Sequence, residues 1–387
     1  MKTALNLIFL FFFASCDVSL IDTSSQRKAI DLSTNQSEES NTPSLEVDVN
    51  NDEVIKPYGV FTSMPTTASV AHSGSRGALI RTSWSKIEPS PGVFDFSDID
   101  NQILDIKNNS SHKQQFFYSL AVSAGCGEDP QNPLFPKWLY DLGVETMPVS
   151  FRAKSFAMPK MWDYVVQYRL QLLADALAAK YNTDSNLQLV YIPQLTGNGI
   201  EGHFNGNDSQ TLISNGLTED IWVSAVKSVA KYFAKAFDTK AIAIEIHEVI
   251  GSSRIPERII NELYEDPETE KRIGLGIWWL SGGVGYQTEL IQIIKDFPGD
   301  KYGQVIGNSS QPCRFGDSSE DYRTVFTQAI ELGIRYIEPW NYEFDYNTQD
   351  QNMDLFNSYA YEKYVLNLNP SIPSFESPNT SPSSYCD

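Results

Sequence analysis

From Tyr58 onward the chain alternates short apolar runs with stretches whose apolar residues recur at helical spacing. The runs fall at Tyr58–Ser63, Ala78–Ser83, Gln115–Val122, Leu187–Pro193, Ala241–His247, Ile273–Trp279, Gly303–Gly307 and Ile334–Pro339. Their length and their β-branched and aromatic content predict strands. Between them, Met161–Tyr181 carries Val166, Leu170, Leu173 and Leu177 at helical spacing. Thr218–Phe237, Gln287–Phe297 and Tyr322–Leu332 show the same periodicity. Strands alternating with helices build a parallel sheet, and eight of them with right-handed crossovers close as a (β/α)₈ TIM barrel, an α/β fold. The alternative, an open doubly wound sheet, lacks its chemistry here. No Gly-rich phosphate loop follows the first strand, and no GxxxxGK[ST] occurs.

The segments flanking this pattern read differently. Lys2, the apolar run Leu7 to Phe13 and then Ala14-Ser15 before Cys16 predict a signal peptide over residues 1–15, lipoprotein-like, with Cys16 the lipidated residue. An ordinary cleaved signal is the alternative. Residues 16–56 are rich in Ser, Thr, Asn, Asp and Glu without periodicity, the composition of a flexible tether. The barrel is expected over 57–369 and a disordered tail over 370–387. No later run is apolar enough to span a bilayer. Membrane contact is therefore expected only through the lipid, at the cell envelope of an exported protein.

Composition narrows the partners. The formal charge is −20, from 49 acidic and 29 basic residues. Nucleic acid and anionic membranes need Lys/Arg clusters that the sequence does not show. The balance also argues mildly against a polyanionic substrate, although a few local cations can override a global field. Four histidines without HxH or HExxH spacing, and cysteines without CxxC spacing, give no metal site and no cofactor motif. Cys126, Cys313 and Cys386 permit one disulfide without saying which. Sequons such as Asn207-Asp208-Ser209 matter only in a eukaryotic host.

In a barrel the chemistry sits at the C-terminal ends of the strands, which confines the search to eight places. After the second strand comes Trp84-Ser-Lys-Ile-Glu88-Pro-Ser-Pro-Gly92-Val-Phe-Asp-Phe96, and Pro136-Lys-Trp138-Leu139 follows the third. This string resembles the N-terminal half of family 42 β-galactosidases and related clan A glycosidases, from about Ala78 to Leu139. The resemblance implies a sugar-processing barrel, with Glu88 shaping its loop. It also implies a general acid/base at the end of the fourth strand. There Gly197-Asn-Gly-Ile-Glu201-Gly-His203 places Glu201 between glycines, although Ile200 replaces the Asn that usually precedes the clan's acid. Asn198 is the nearest substitute.

Glycoside hydrolysis needs a second carboxylate. The clan would put it after the seventh strand, where Gln304 to Cys313 contains no acid before Asp317. Two other strands offer one. In Ala241–Glu248, Ile242, Ile244 and Ile246 suit the helix-facing side, which turns Glu245 and His247 into the lumen. In the eighth strand Tyr336, Glu338 and Trp340 share a side if Ile337 faces out. Glu245 and Glu338 therefore lead, with Glu248 and Asp317 behind. Trp84, Trp138, Trp278 and Trp340 are expected to form a sugar-binding rim, and His203 and His247 to orient hydroxyls or a carboxylate. The expected function is a glycoside hydrolase, endo-acting on a plant or algal polysaccharide of galactan or fucan type. A non-catalytic glycan-binding protein on a degenerate barrel is the alternative, and a metal-dependent hydrolase the third reading.

Overall fold

The computed structural model describes residues 54–110, 115–269, 271–283, 285–315 and 322–376. The signal segment, Cys16, most of the tether, Asp317 and the tail beyond 376 lie outside the described residues. Ten strands form. They are β1 (Gly59–Thr62), β2 (Gly77–Ser83), β3 (Phe117–Ser123), β4 (Thr146–Phe151), β5 (Lys154–Pro159), β6 (Leu187–Tyr191), β7 (Ala241–Glu245), β8 (Ile273–Leu280), β9 (Lys301–Val305) and β10 (Tyr336–Glu338). Eight close a barrel in the order β1-β2-β3-β6-β7-β8-β9-β10, with every barrel pair parallel. All eight apolar runs of the sequence are barrel strands. The barrel is a (β/α)₈ fold.

The helices between the strands follow their caps. Asp163 accepts from the Val165 N–H and starts Tyr164–Tyr181; Thr218 accepts from the Ile221 N–H and starts Glu219–Ala236. Strand parity then divides the core in two. Ile242, Ile244, Ile246, Ile277, Trp279 and Ile337 pack outward under the helices. Phe61, Leu79, Tyr191, Ala243, Trp278, Tyr302 and Tyr336 fill the lumen. A period of two along each strand produces this division. β8 contributes small residues to the lumen because its neighbours contribute large ones. A Cβ on Gly276 would stand 3.0 Å from the Tyr191 ring, and one on Gly274 would stand 2.7 Å from the Tyr302 ring.

The antiparallel pair β4–β5 was not expected. Pro148 interrupts its alternation, and its turn residues Arg152 and Ala153 are not turn formers. Both nevertheless take left-handed backbone, with φ of 48° and 59°, as a tight two-residue hairpin requires. Among the described cysteines Cys126 is free and buried, and Cys313 is disulfide-bonded. No helix among the described residues is long and apolar enough to cross a membrane.

Candidate active site

The loops that leave the C-terminal ends of β3 and β6 are tied together by backbone. The Ala124 N–H donates to the Gly199 carbonyl at 3.1 Å, and the Cys126 N–H donates to that of Gly197 at 3.0 Å. Gly199 has a φ of +85°, and a Cβ there would stand 2.2 Å from the Gly125 nitrogen. Only glycine lets these loops meet. Glu201 follows, and its backbone is fixed at both ends. Its N–H donates to Asn198 Oδ1 at 2.8 Å, and its carbonyl accepts from Thr196 Oγ1 at 2.6 Å.

The Glu201 carboxylate accepts from the Asn198 amide, and His203 Nε2 lies 3.5 Å from its Oε2. The side chain keeps 21% of its surface open, so a ligand can reach it. Burial opposes its charge. The His203 hydrogen bond and the nearby positive groups, the Arg81 guanidinium among them, outweigh that and hold its pKa below the ordinary glutamate value. Burial likewise opposes a charged His203, but the hydrogen bond and charge of Glu201 raise its pKa above the histidine norm.

Glu245, on the lumen parity of β7, faces no solvent. Its oxygens accept from the N–H of Gly202 at 2.7 Å and of Trp278 at 3.1 Å, and His247 Nδ1 lies 2.9 Å from Oε1. Burial first, and then the Glu201 charge, push its carboxyl well above the usual range; the two backbone donors pull the other way without reversing it. His247 is pushed down to about 3, mainly by burial. Burial therefore disfavours charge on both members of this contact. Through the Gly202 N–H, Glu245 holds the loop that carries Glu201, and it has no exposed face for a ligand.

Glu338 closes the lumen from β10. Its carboxyl accepts from the Tyr336 hydroxyl, from Tyr191 Oη at 3.3 Å and from the Gln304 amide at 2.7 Å. Burial raises its pKa to about 7 against those three donors. Gln304 thus occupies the seventh-strand place where the sequence resemblance expects an acid, and it binds the acid of the eighth strand. Arg81 of β2 couples electrostatically to both Glu201 and Glu338. Its guanidinium sits 5.0 Å above the Trp278 ring. It is reachable by solvent at the floor of a concavity crowded by protein.

The expected aromatic rim does not form as drawn. Trp84 is wholly buried on the helix side, and its indole N–H donates to Glu88 at 2.8 Å. Trp138 packs edge-on against it and donates to the Glu88 carbonyl at 2.9 Å. Glu88 also accepts from the Gly92 N–H at 2.8 Å and pairs with Arg169. The Trp-Ser-Lys-Ile-Glu-Pro string is therefore a structural bracket. Trp278 lies in the lumen, and Trp340 is half-buried, its indole donating to the Val305 carbonyl at 2.7 Å. The exposed aromatic of this region is Tyr286, which the sequence reading missed. It lies edge-on to Trp279 and His247, and Asn205 donates to its hydroxyl at 3.4 Å. It follows β8 in a loop with no periodic signal. Glu248 is half-buried beside it, its backbone N–H donating to Gln287.

Glu201, His203 and His247 offer one ligand atom each within 4.8 Å of one another, a spacing that a metal ion could use. Hydrogen bonding decides against it at His203. Its Nδ1 accepts from the Asn205 N–H at 3.1 Å, which places the ring proton on Nε2, the nitrogen turned toward Glu201. A protonated nitrogen donates and does not ligate.

No family model matches the chain, and no curated protein sequence does. Two solved barrels resemble it. An endo-β-1,4-glucanase of Xanthomonas axonopodis pv. citri, solved as a triple mutant, aligns at 12% identity and a TM-score of 0.44, over 75% of this chain and 84% of that one. An exo-β-1,4-mannosidase of Opitutaceae bacterium strain TAV5 aligns at 11% identity and a TM-score of 0.45, over 79% of this chain and 60% of that one. The weight of any functional reading therefore rests on the site itself.

Proposed function

We propose that the chain is a glycoside hydrolase in which Glu201 is the reacting carboxylate. The observation that carries this is the state of Glu201. It is partly open at the mouth of a barrel, fixed at backbone and side chain, and held ionised in an otherwise enclosed setting. An ionised carboxylate so placed can meet the positive charge that develops at an anomeric carbon, as base or as nucleophile. The proton donor expected from the sequence at Glu201 is then better assigned elsewhere. Glu338, with its pKa near neutrality, still carries a proton there. Its covering partners are side chains, whereas those of Glu245 include two fixed backbone N–H groups. A leaving-group oxygen has to take the place of Tyr191, Tyr336 or Gln304 at Glu338. His203 and Asn198 keep Glu201 ionised, and Tyr286 offers a face on which a sugar ring can stack.

The substrate expected from the sequence is a plant or algal polysaccharide attacked internally. Support for an exported, lipid-anchored enzyme comes from the Leu7 to Phe13 run and the Ala14-Ser15-Cys16 junction; Cys16→Ala should release the protein from the membrane fraction. A second reading, a glycan-binding protein without turnover, is favoured by one observation: the seventh barrel strand presents Gln304 in place of an acid. Purified protein incubated with a broad panel of neutral and acidic glycans decides between them. Release of reducing ends supports the hydrolase; retention of a glycan in affinity electrophoresis without release supports the binder.

A further inference from the structure

Beside Glu201 lies a cleft of about 360 Å³ whose charge contradicts the rest of the molecule. Arg81, Lys86 and Arg152 line it, against a single acid, Glu128. The chain as a whole carries −20. Lys86 and Arg152 are balanced at the surface, by Asp98 at 3.3 Å and by Glu128. Arg81 is not. Its Nε donates to Ser123 Oγ at 3.2 Å, and it makes no ion pair among the described residues. Its terminal nitrogens are left to a cleft that Ser123 and Asn198 also line.

Glu128 pairs with Arg152 and no carboxylate pairs with Arg81 among the described residues, so the terminal N–H groups of Arg81 keep their hydrogen-bonding capacity for a ligand. Burial disfavours the Arg81 charge, Glu201 and Glu338 favour it, and Arg152 is near enough to oppose it more weakly. Arg152 is held there by the β4–β5 turn, whose two left-handed residues are not glycines. A planar guanidinium with free terminal N–H groups matches a carboxylate or sulfate bidentately, which no neutral hydroxyl does.

We infer that the Arg81 cleft is a subsite for an anionic sugar, a uronate carboxylate or a sulfate ester, next to the bond that Glu201 attacks. The inference rests on the glycosidase reading for its position and names the substrate class. The mild exclusion of charged glycans drawn from net charge is overridden locally.

The test is binding, measured apart from turnover. Isothermal titration at low salt compares trigalacturonate with its methyl ester, and a sulfated galactan tetrasaccharide with its desulfated counterpart. At least one charged probe is expected to bind tenfold or more tightly than its neutral partner, with an affinity that falls as salt rises. Which pair shows the difference distinguishes carboxylate from sulfate. Arg81→Gln should erase that difference. Arg152→Gln, a surface change with little risk to folding, should reduce it severalfold. Equal binding of charged and neutral probes, no binding of either, or a preference that survives both substitutions would overturn the inference. The two readings fail separately. Cleavage of neutral glycans with no preference for charge removes the subsite and keeps the hydrolase. Arg81-dependent binding without cleavage does the reverse.

Discussion

At the scale of single residues, the site is a set of carboxyls separated by their surroundings. Glu201 accepts two side-chain donors and keeps an open face; Glu245 accepts from backbone; Glu338 is wrapped in phenols and an amide. Their protonation states differ accordingly, and that sets a pH profile. Glu201 has to be ionised, so activity falls on the acid side only below the ordinary glutamate pKa. Glu338 has to be protonated, so activity falls as pH rises through about 7. A bell-shaped kcat/KM with its basic limb near neutrality is expected, and Glu338→Gln should remove that limb along with most of the rate. A basic limb unchanged in Glu338→Gln would show that the donor lies elsewhere. Sequence parity was enough to turn Glu245 and Glu338 inward. It could not say which one accepts from backbone, because hydrogen bonds to main-chain N–H groups leave no trace in residue type. Trp84 and Trp138 misled for a related reason. Strand-end position suggested a rim, while their indoles bind Glu88 on the helix side.

At the scale of elements, periodicity located all eight barrel strands, since burial on two faces imposes its own pattern on each. The β4–β5 hairpin escaped because its turn lies in left-handed backbone without Gly or Asn, and a Pro breaks its alternation. The loops that carry Glu201 depend on two contacts that can be cut separately. Gly199→Ala would put a methyl group 2.2 Å from the Gly125 nitrogen. The barrel should survive it, but displacing the Glu201 loop by about 1 Å is expected to cost on the order of a hundredfold in kcat/KM. Wild-type kinetics in this variant would mean that the loop tolerates a register the structure denies it. Glu245→Ala leaves the N–H groups of Gly202 and Trp278 without their buried acceptor. It should cost about 3 kcal/mol of stability, read as a lower urea midpoint at unchanged m-value. A loss below about 0.5 kcal/mol would mean that water replaces the carboxylate.

At the scale of the whole molecule, an acidic α/β barrel presents, among the described residues, a basic concavity beside the proposed reacting carboxylate. Global charge disposes against anionic ligands; the proposed subsite sets local geometry against it where Arg81 and Arg152 line one cleft. The fold supplies eight strand ends, and the glycines at 197, 199 and 202 choose which of them hold the chemistry. The account depends most on Glu201. The direct measurement is the rate of reducing-end release by wild type and by Glu201→Gln, on the best glycan found in the panel, with folding of both verified by circular dichroism. The expected result is a fall in kcat of about a thousandfold with glycan affinity retained. Equal turnover by the two proteins would contradict it.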